Sequence, residues 1–270
     1  MKSLLRAVKN PNLIFDVGAH QGEDSLFYLQ KGFDVVAVEA NPSLVSSIQK
    51  RLRTFIQNGR LKLVEGAIAE QNQSVAFFVN DSLSVWGTTC PDWAQRNEVF
   101  NTASHKIDVQ GVPFGDIIQE NGMPHYIKID IEGADLLCLE SLLDFDTQPN
   151  FISIESEKKS WEKLLYEFEL LQKLGYNRFK VVSQKHIQDQ SCPPQTKEGL
   201  NINFRFEEGS SGLFGHDLPG PWLDYTEAIH VYKKIFRVYQ WFGDESFINK
   251  IPKLRNVFSA SWYDTHATRI

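Results

Sequence analysis

The sequence predicts an α/β protein built on a doubly wound, mostly parallel sheet, and three observations carry that reading. Short β-rich runs alternate with amphipathic helical stretches along the first part of the chain. A glycine turn, Asp16-Val17-Gly18-Ala19-His20-Gln21-Gly22, separates the first strand from the first helix. An acidic residue, Glu39, closes the second strand.

Residues 13–17 form a short apolar run ahead of the glycine turn, the pattern of a buried strand. Residues 23–30 suit a helix, with Gly32 placed at its C-terminal cap. Residues 34–39 are the next strand. Pro42 then opens a helix whose apolar face is Leu44, Val45, Ile48, Leu52, Phe55 and Ile56. Residues 61–64 give a third strand before Gly66. This β-α-β-α-β order implies parallel strands joined by right-handed crossovers.

Residues 70–108 break the rhythm: 74–79 read as an extra strand, and 81–101 show no sustained period, the mark of an insertion over the sheet. Strands resume at 126–131 and 151–155, each followed by a helix, from near Ala134 and from about Ser160. The second of these helices buries Trp161, Leu164, Leu165, Phe168 and Leu171 and is capped by Gly175. Residues 178–182 and 201–206 are the last expected strands. The glycine- and proline-rich segment 209–222 reads as a loop of special backbone conformations, and its length favours a lid. A helix over 226–242 carries Ile229, Tyr232, Phe236 and Tyr239 on one face, to pack on the body or on a second copy of the chain. The organisation expected is one domain over 1–270, with a core at about 12–206, an insertion at about 70–108 and a C-terminal, largely helical elaboration at about 207–270.

Composition narrows the function classes. The chain has 270 residues, 42% hydrophobic and 23% charged, which is ordinary globular usage and speaks against wholesale disorder. Its 28 basic against 34 acidic residues leave a net charge of −6 with no Lys/Arg-rich run, so no nucleic-acid partner is expected. Three cysteines, Cys90, Cys138 and Cys192, are too few and too scattered for a disulfide framework or a metal knuckle. The basic first ten residues lack the apolar stretch of a signal peptide, and no run suits a membrane span. The expectation is a cytoplasmic protein without a membrane partner.

The glycine turn carries the chemistry. Its glycines let the backbone approach a ligand, and the helix start behind it offers free N–H groups. Glu39, at the end of the second strand, is placed to accept both hydroxyls of a ribose. A dinucleotide site needs G-x-G-x-x-G, whereas here Asp16 takes the first glycine position. An anion there would repel a pyrophosphate and attract an ammonium or sulfonium, which favours S-adenosylmethionine over NAD. The competing reading is a turn needed only for close helix–strand packing.

The second constellation is Ile127-Lys128-Ile129-Asp130-Ile131-Glu132-Gly133-Ala134-Asp135. A period of two puts Lys128, Asp130 and Glu132 on one side of the strand. Charges in a central strand are costly unless paired or functional. Beside the first strand, across the switch point, Asp130 would face the glycine turn. The alternative is a structural Lys128–Asp130 ion pair.

These two blocks, with Val38-Glu39-Ala40-Asn41-Pro42 between them, resemble the FkbM-type methyltransferases. Residues 151–157 and the turn Leu174-Gly175-Tyr176 are similar to that family too, so the likeness spans about 12–182. The resemblance implies a class I methyltransferase fold, a Rossmann-like sheet of seven mostly parallel strands with one antiparallel strand near its end. It implies S-adenosyl-L-methionine as donor, S-adenosyl-L-homocysteine as product, and O-methylation of a hydroxyl on a small molecule, sugar or glycan. Carried over, Asp16, Gly18 and Gly22 line the methionine end of the cofactor, Glu39 binds the ribose, Ala67 or Ile68 sits near the adenine, and Ala19 and Ala40 are further cofactor-binding positions.

Methyl transfer from a sulfonium is an in-line displacement, so alignment supplies much of the catalysis and a base completes it for an alcohol. Asp130 is the first candidate for both cofactor contact and base; Glu155 and Glu157 follow, then His20 and His216. Asp130, Glu132, Glu155 and Glu157 could also hold Mg²⁺ near an alkoxide, although the spacing does not require it and a metal-free site is preferred. Asp264 and His266 read as an isolated pair, and Cys138 as a small core residue. A homodimer is compatible with the aromatic helix. Two other functions fit the pattern: an NAD-dependent oxidoreductase, and a noncatalytic S-adenosylmethionine-binding module.

Overall fold

The computed structural model describes residues 4–80, 87–91, 104–157, 160–242 and 262–269. Most of the aperiodic part of the insertion lies outside these residues. Strands β1 (Lys9–Val17), β2 (Asp34–Glu39), β3 (Leu61–Glu65), β7 (Met123–Ile129), β8 (Phe151–Glu155), β9 (Arg178–Ser183) and β10 (Tyr263–Thr268) form a seven-stranded sheet. Its order is β3-β2-β1-β7-β8-β10-β9, with β10 antiparallel to both neighbours and the other described pairs parallel. This is the class I methyltransferase arrangement that the sequence resemblance implies. Short β4 (Ala67–Ile68), β5 (Ser74–Asn80) and β6 (Ser104–Val112) make a second sheet in the order β4-β6-β5.

Helices cover both faces: α1 (Glu23–Gln30), α2 (Pro42–Arg51) and α3 (Arg53–Gln57) early in the chain, then α4 (Phe114–Asn121), α5 (Asp135–Leu142), α6 (Trp161–Lys173) and α7 (Tyr225–Phe242). The two-residue strand period sorts side chains between two apolar layers. Leu13, Phe15 and Val17 of β1 join Ile127, Ile129, Ile152 and Ile154 under α4 to α7. Ile14 of β1 joins Val35, Ala37, Tyr126 and Phe151 on the α1 side, where Phe206, Leu213 and Phe214 close the layer. Ile229, Tyr232 and Phe236 of α7 are buried in the first layer, so that helix packs on the body. Cys138 is buried there too, as expected. Among the described residues, no helix is long and apolar enough to cross a membrane.

Three local expectations are corrected. Residues 201–206 form no strand; Phe204 and Phe206 instead meet the Phe27 ring of α1 at centroid distances of 5.0 and 4.9 Å. The seventh strand comes from β10, inside the segment read as an elaboration on the core. The helix after Pro42 breaks at Leu52 into α2 and α3.

Candidate functional site

The C-terminal ends of β1, β2, β7 and β8 meet where the winding reverses, between β1 and β7. A cavity of about 280 Å³ opens there, walled from the β2 end of the sheet to β10. Gly18, His20, Glu39, Ala40, Ala67 and Ile68 line it from the β1, β2 and β4 side. Asp130, Glu132, Glu155, Gln184, Trp262 and Asp264 line it from the β7, β8 and β10 side, and Gly209 to Ser211 close over it.

The glycine turn has a steric cause. Gly18 has φ +85°, and a Cβ on it would lie 1.8 Å from the carbonyl oxygen of Asp130. Only glycine lets the end of β1 pass so close to the end of β7. The packing reading of this glycine is therefore satisfied, and so is its place on the cavity wall.

Glu39 is buried at the end of β2 and still reaches the cavity. One carboxylate oxygen accepts the His20 backbone N–H at 2.9 Å, the other that of Asn41 at 2.8 Å. Burial raises its pKa, and those two N–H groups oppose the rise. Both oxygens are thus fixed in place, with further lone pairs left for a ligand. Asn41 in turn caps α2 by accepting from Ser43 N–H at 3.0 Å. Ala67, Ile68 and Phe77 add an apolar wall beside it.

Lys128 is the electrostatic centre. Its ammonium donates to the Gly18 carbonyl at 2.9 Å and lies 3.4 Å from Asp16, 3.6 Å from Asp24 and 3.8 Å from Asp130. Its side chain is 4% exposed, and the three carboxylates outweigh burial to raise its pKa. Asp24 is pushed up to about 7 by burial, with the Asp16 charge adding to the effect. Asp24 also accepts the Ser211 backbone N–H at 3.0 Å, which ties the glycine-rich segment to α1. With Leu213 and Phe214 in the core, this segment is a built wall of the cavity.

Several expected positions shift. Asp16 does not line the cavity; strand alternation turns it into the α1-side layer beside its register partner Lys128, and Ser25 donates to it at 2.6 Å. The cation it attracts is the chain's own. Ala19 is buried in the same layer, and Gly22, at φ +80°, starts α1 against Leu52, so neither reaches the cavity. Glu132 lines the cavity from a turn at φ +53°, because β7 ends at Ile129 and the strand period stops with it. That turn is fixed by Asp135, which accepts the Ile131 and Gly133 N–H groups at 3.0 and 2.9 Å. Glu157 is not among the lining residues. His216 packs its ring edge-on to Phe151 at 5.0 Å, outside the cavity. His20 lines the cavity with its ring Nδ1 3.1 Å from Glu23.

Asp130 reaches the cavity with its side chain 40% exposed, beside Lys128. Asp264, which the sequence left in an isolated pair with His266, lies in register with Glu155 across the β8–β10 ladder and accepts from the Gln184 amide at 2.5 Å. Burial, with the charge of Asp130 adding, raises its pKa well above the usual carboxylate value. Among the described residues, no three His, Cys, Asp or Glu side chains are grouped so as to hold a metal ion.

Known structures include distant likenesses. A precorrin-6y C5,15-methyltransferase from Geobacter metallireducens GS-15 is 12% identical, with TM-score 0.40, covering 97% of this chain and 82% of that one. A SAM-dependent methyltransferase from Archaeoglobus fulgidus is 10% identical, with TM-score 0.40, covering 97% and 88%. The StiE O-MT structure is 10% identical, with TM-score 0.41, covering 96% and 68%. Among curated proteins, none matches the chain. The family model described as the methyltransferase FkbM domain matches residues 16–178, from the glycine turn through Glu39, Asp130 and Glu155 to the start of β9. With that match spanning more than half its length, the chain belongs to the FkbM methyltransferase family, whose methyl donor is S-adenosylmethionine.

Proposed function

We propose that the protein moves a methyl group from S-adenosylmethionine to a hydroxyl of a small molecule, sugar or glycan. The observation that supports it most is Glu39, a buried carboxylate with both oxygens anchored by backbone N–H groups and turned to a cavity at the switch point. The donor set fits the cofactor: Glu39 would accept the ribose hydroxyls, and Ala40, Ala67, Ile68 and Phe77 offer apolar surface to adenine. Gly18 and His20 border the same wall. Bound there, S-adenosylmethionine supplies a methyl group on a good leaving group.

The chain's own residues then have two tasks, holding the acceptor oxygen in line and taking its proton. Asp130 is the base in this reading, because its carboxylate reaches the cavity at the β1–β7 junction. Lys128 holds that carboxylate in place. Glu155 stands further along the wall, on the acceptor side.

Calorimetric titration with S-adenosylhomocysteine, with NAD⁺ in parallel, tests the cofactor. Micromolar binding of S-adenosylhomocysteine alone is expected, and binding of NAD⁺ instead would overturn the reading. Screening hydroxylated sugars and metabolites for labelled-methyl uptake then tests the reaction. With an acceptor found, Asp130→Asn should lower turnover by about 10²-fold or more, the scale of a lost general base. Near-normal turnover would remove Asp130 from that role.

A further inference from the structure

Every backbone donor of the glycine turn is already spent inside the protein. The Gly18 and Ala19 N–H groups both donate to the Val38 carbonyl at 3.0 Å. His20 N–H donates to Glu39 at 2.9 Å, Gln21 N–H to Glu23 at 3.0 Å, and Gly22 N–H to the Ala19 carbonyl at 2.7 Å. The turn shapes the cavity but keeps its own N–H groups from a ligand. Of Asp16, Gly18 and Gly22, which the family resemblance sets at the methionine end of the cofactor, Gly18 alone lines the cavity, and its carbonyl accepts from Lys128. The charged amino-acid group of the cofactor is costly to bury without polar partners, so further partners must come from another segment.

Residues 209–211 supply one. Gly209, at φ +88°, passes beside His20: a Cβ there would lie 3.9 Å from the ring Nδ1 and 4.0 Å from the Glu23 carboxylate. Ser211 N–H donates to both oxygens of Asp24 at 3.0 Å. Between these two contacts stands Ser210, whose own N–H donates to the Glu207 carbonyl at 3.3 Å. Leu213 and Phe214, just downstream, sit in the core. The backbone is thus pinned on both sides of Ser210, beside the turn that follows β1. Ser210 lines the cavity and is 6% exposed, and among the described residues its hydroxyl has no hydrogen-bond partner. A buried hydroxyl left unpaired is costly, which calls for a polar ligand group. A single χ angle carries that hydroxyl, so it can turn to a bound group without any shift of the backbone.

We propose that Ser210 is a cofactor-binding residue, its hydroxyl bonding the amino-acid group at the methionine end of S-adenosylmethionine. The inference rests on the cofactor reading above and adds a residue outside the family match, which ends at 178. Strand order gives the direction. Ala67 and Ile68 follow β3, Glu39 ends β2, and Gly18 and His20 follow β1. Adenine, ribose and the chain leaving the ribose therefore succeed one another along that edge, and Ser210 stands at the third of these places. A hydroxyl both donates and accepts, so it can serve the carboxylate or the ammonium of the amino-acid group. The methyl acceptor belongs one strand further on, beside Asp130 at the end of β7.

The test titrates the full chain with S-adenosylhomocysteine and with 5′-methylthioadenosine, which keeps the nucleoside and the thioether and lacks the amino-acid group. Ser210→Ala should weaken S-adenosylhomocysteine binding roughly tenfold, the scale of one hydrogen bond to a charged group, and change 5′-methylthioadenosine binding by less than about twofold. Urea unfolding without ligand should show no loss of stability in the variant, because the hydroxyl removed had no partner. Equal losses for the two ligands would mark a structural role and overturn the proposal. Unchanged S-adenosylhomocysteine affinity, or a clear loss of stability without ligand, would overturn it as well. Failure of the parent to bind S-adenosylhomocysteine is a different result: it removes the cofactor reading, and this inference with it.

Discussion

Alanine at Gly18 tests the central contact of the site, and its cost can be worked from the structure. Two terms add. The φ of +85° lies in the left-handed region, where an L side chain costs about 1–2 kcal/mol. The new Cβ would then sit 1.8 Å from the Asp130 carbonyl oxygen, far inside contact distance. That neighbour is backbone at the end of β7 and has no rotamer to change, so β1 and β7 must part. Overpacking of this kind costs about 1–3 kcal/mol or more. The total is roughly 2–5 kcal/mol, a large share of an ordinary domain's stability. Gly59 supplies the control, with a φ of +78° and nothing within 4 Å of its Cβ position. Gly59→Ala should cost only the conformational part, about 1–2 kcal/mol. Urea unfolding of both variants and the parent measures the difference directly. Gly18→Ala should also weaken S-adenosylhomocysteine binding, because the Gly18 carbonyl that holds Lys128 moves with it. Equal destabilisation of the two variants would refute the close approach of β1 to β7.

Other substitutions probe the charges. Glu39→Ala should weaken S-adenosylhomocysteine binding by roughly 1.5–3 kcal/mol, the scale of a lost charged hydrogen-bond acceptor; calorimetry with unchanged affinity would take Glu39 out of the ribose site. Lys128→Met leaves Asp16 and Asp24 buried without their cation and should cost about 3–5 kcal/mol at neutral pH. Equilibrium unfolding of that variant should show the loss shrinking as pH falls and the carboxylates protonate; a pH-independent loss would contradict the ion-pair account. Glu167, buried on α6 and accepting from Ser156 at 2.8 Å, is pushed up to about 8 by burial. Its folded pKa lies above the unfolded value of 4.5, so the folded state holds the extra proton and stability falls as pH rises between 4.5 and about 8. Glu167→Gln should remove that slope, gaining on the parent by up to about 1.4 kcal/mol per pH unit across the window. Superimposable pH–stability curves would show that Glu167 is ionised when folded.

The half of the site nearest β2 was legible because its residues are local. The turn containing Gly18, the Glu39 strand end and the β4 pair are separated by single βα units, and each has a backbone reason for its residue type. Asp16 shows where such reading goes wrong. Its place in the motif suggested a ligand contact, but only the strand's alternation, applied to Lys128 as well, shows the two side chains meeting in one buried layer. The β10 end was illegible for a different reason. Tyr263-Asp264-Thr265-His266-Ala267-Thr268 has no apolar alternation, although all but Tyr263 are buried. Its threonines are satisfied by partners distant in sequence: Thr265 by Ser156 and Tyr232, each at 2.6 Å, and Thr268 by the Asn150 carbonyl at 3.0 Å. Residues 201–206 erred the other way, since their alternating apolar residues pack on Phe27 without any ladder.

One row of side chains links these halves. Asp16, Lys128, Ser153, His266 and Lys180 follow one another in register across β1, β7, β8, β10 and β9, all on the α1 side of the sheet. Polar groups this deep are costly unless each finds a partner. Asp16 and Lys128 find each other, Ser153 meets the Tyr126 hydroxyl at 2.6 Å, and Lys180 donates to the Leu218 carbonyl at 2.6 Å. His266 alone in the row has neither ring nitrogen bonded, and burial lowers its pKa to about 3, so it stays neutral. The folded state's refusal to protonate it means stability contributed above 6.5 is lost as pH falls toward 3, opposite in sign to Glu167. The charged members of the row lie at its two ends, and only the Lys128 end borders the cavity. Within the row, cationic charge is thus supplied to the cavity where the glycine turn and Asp130 meet. The same sheet register that buries Lys128 between Asp16 and Asp24 also sets that ammonium beside the cavity.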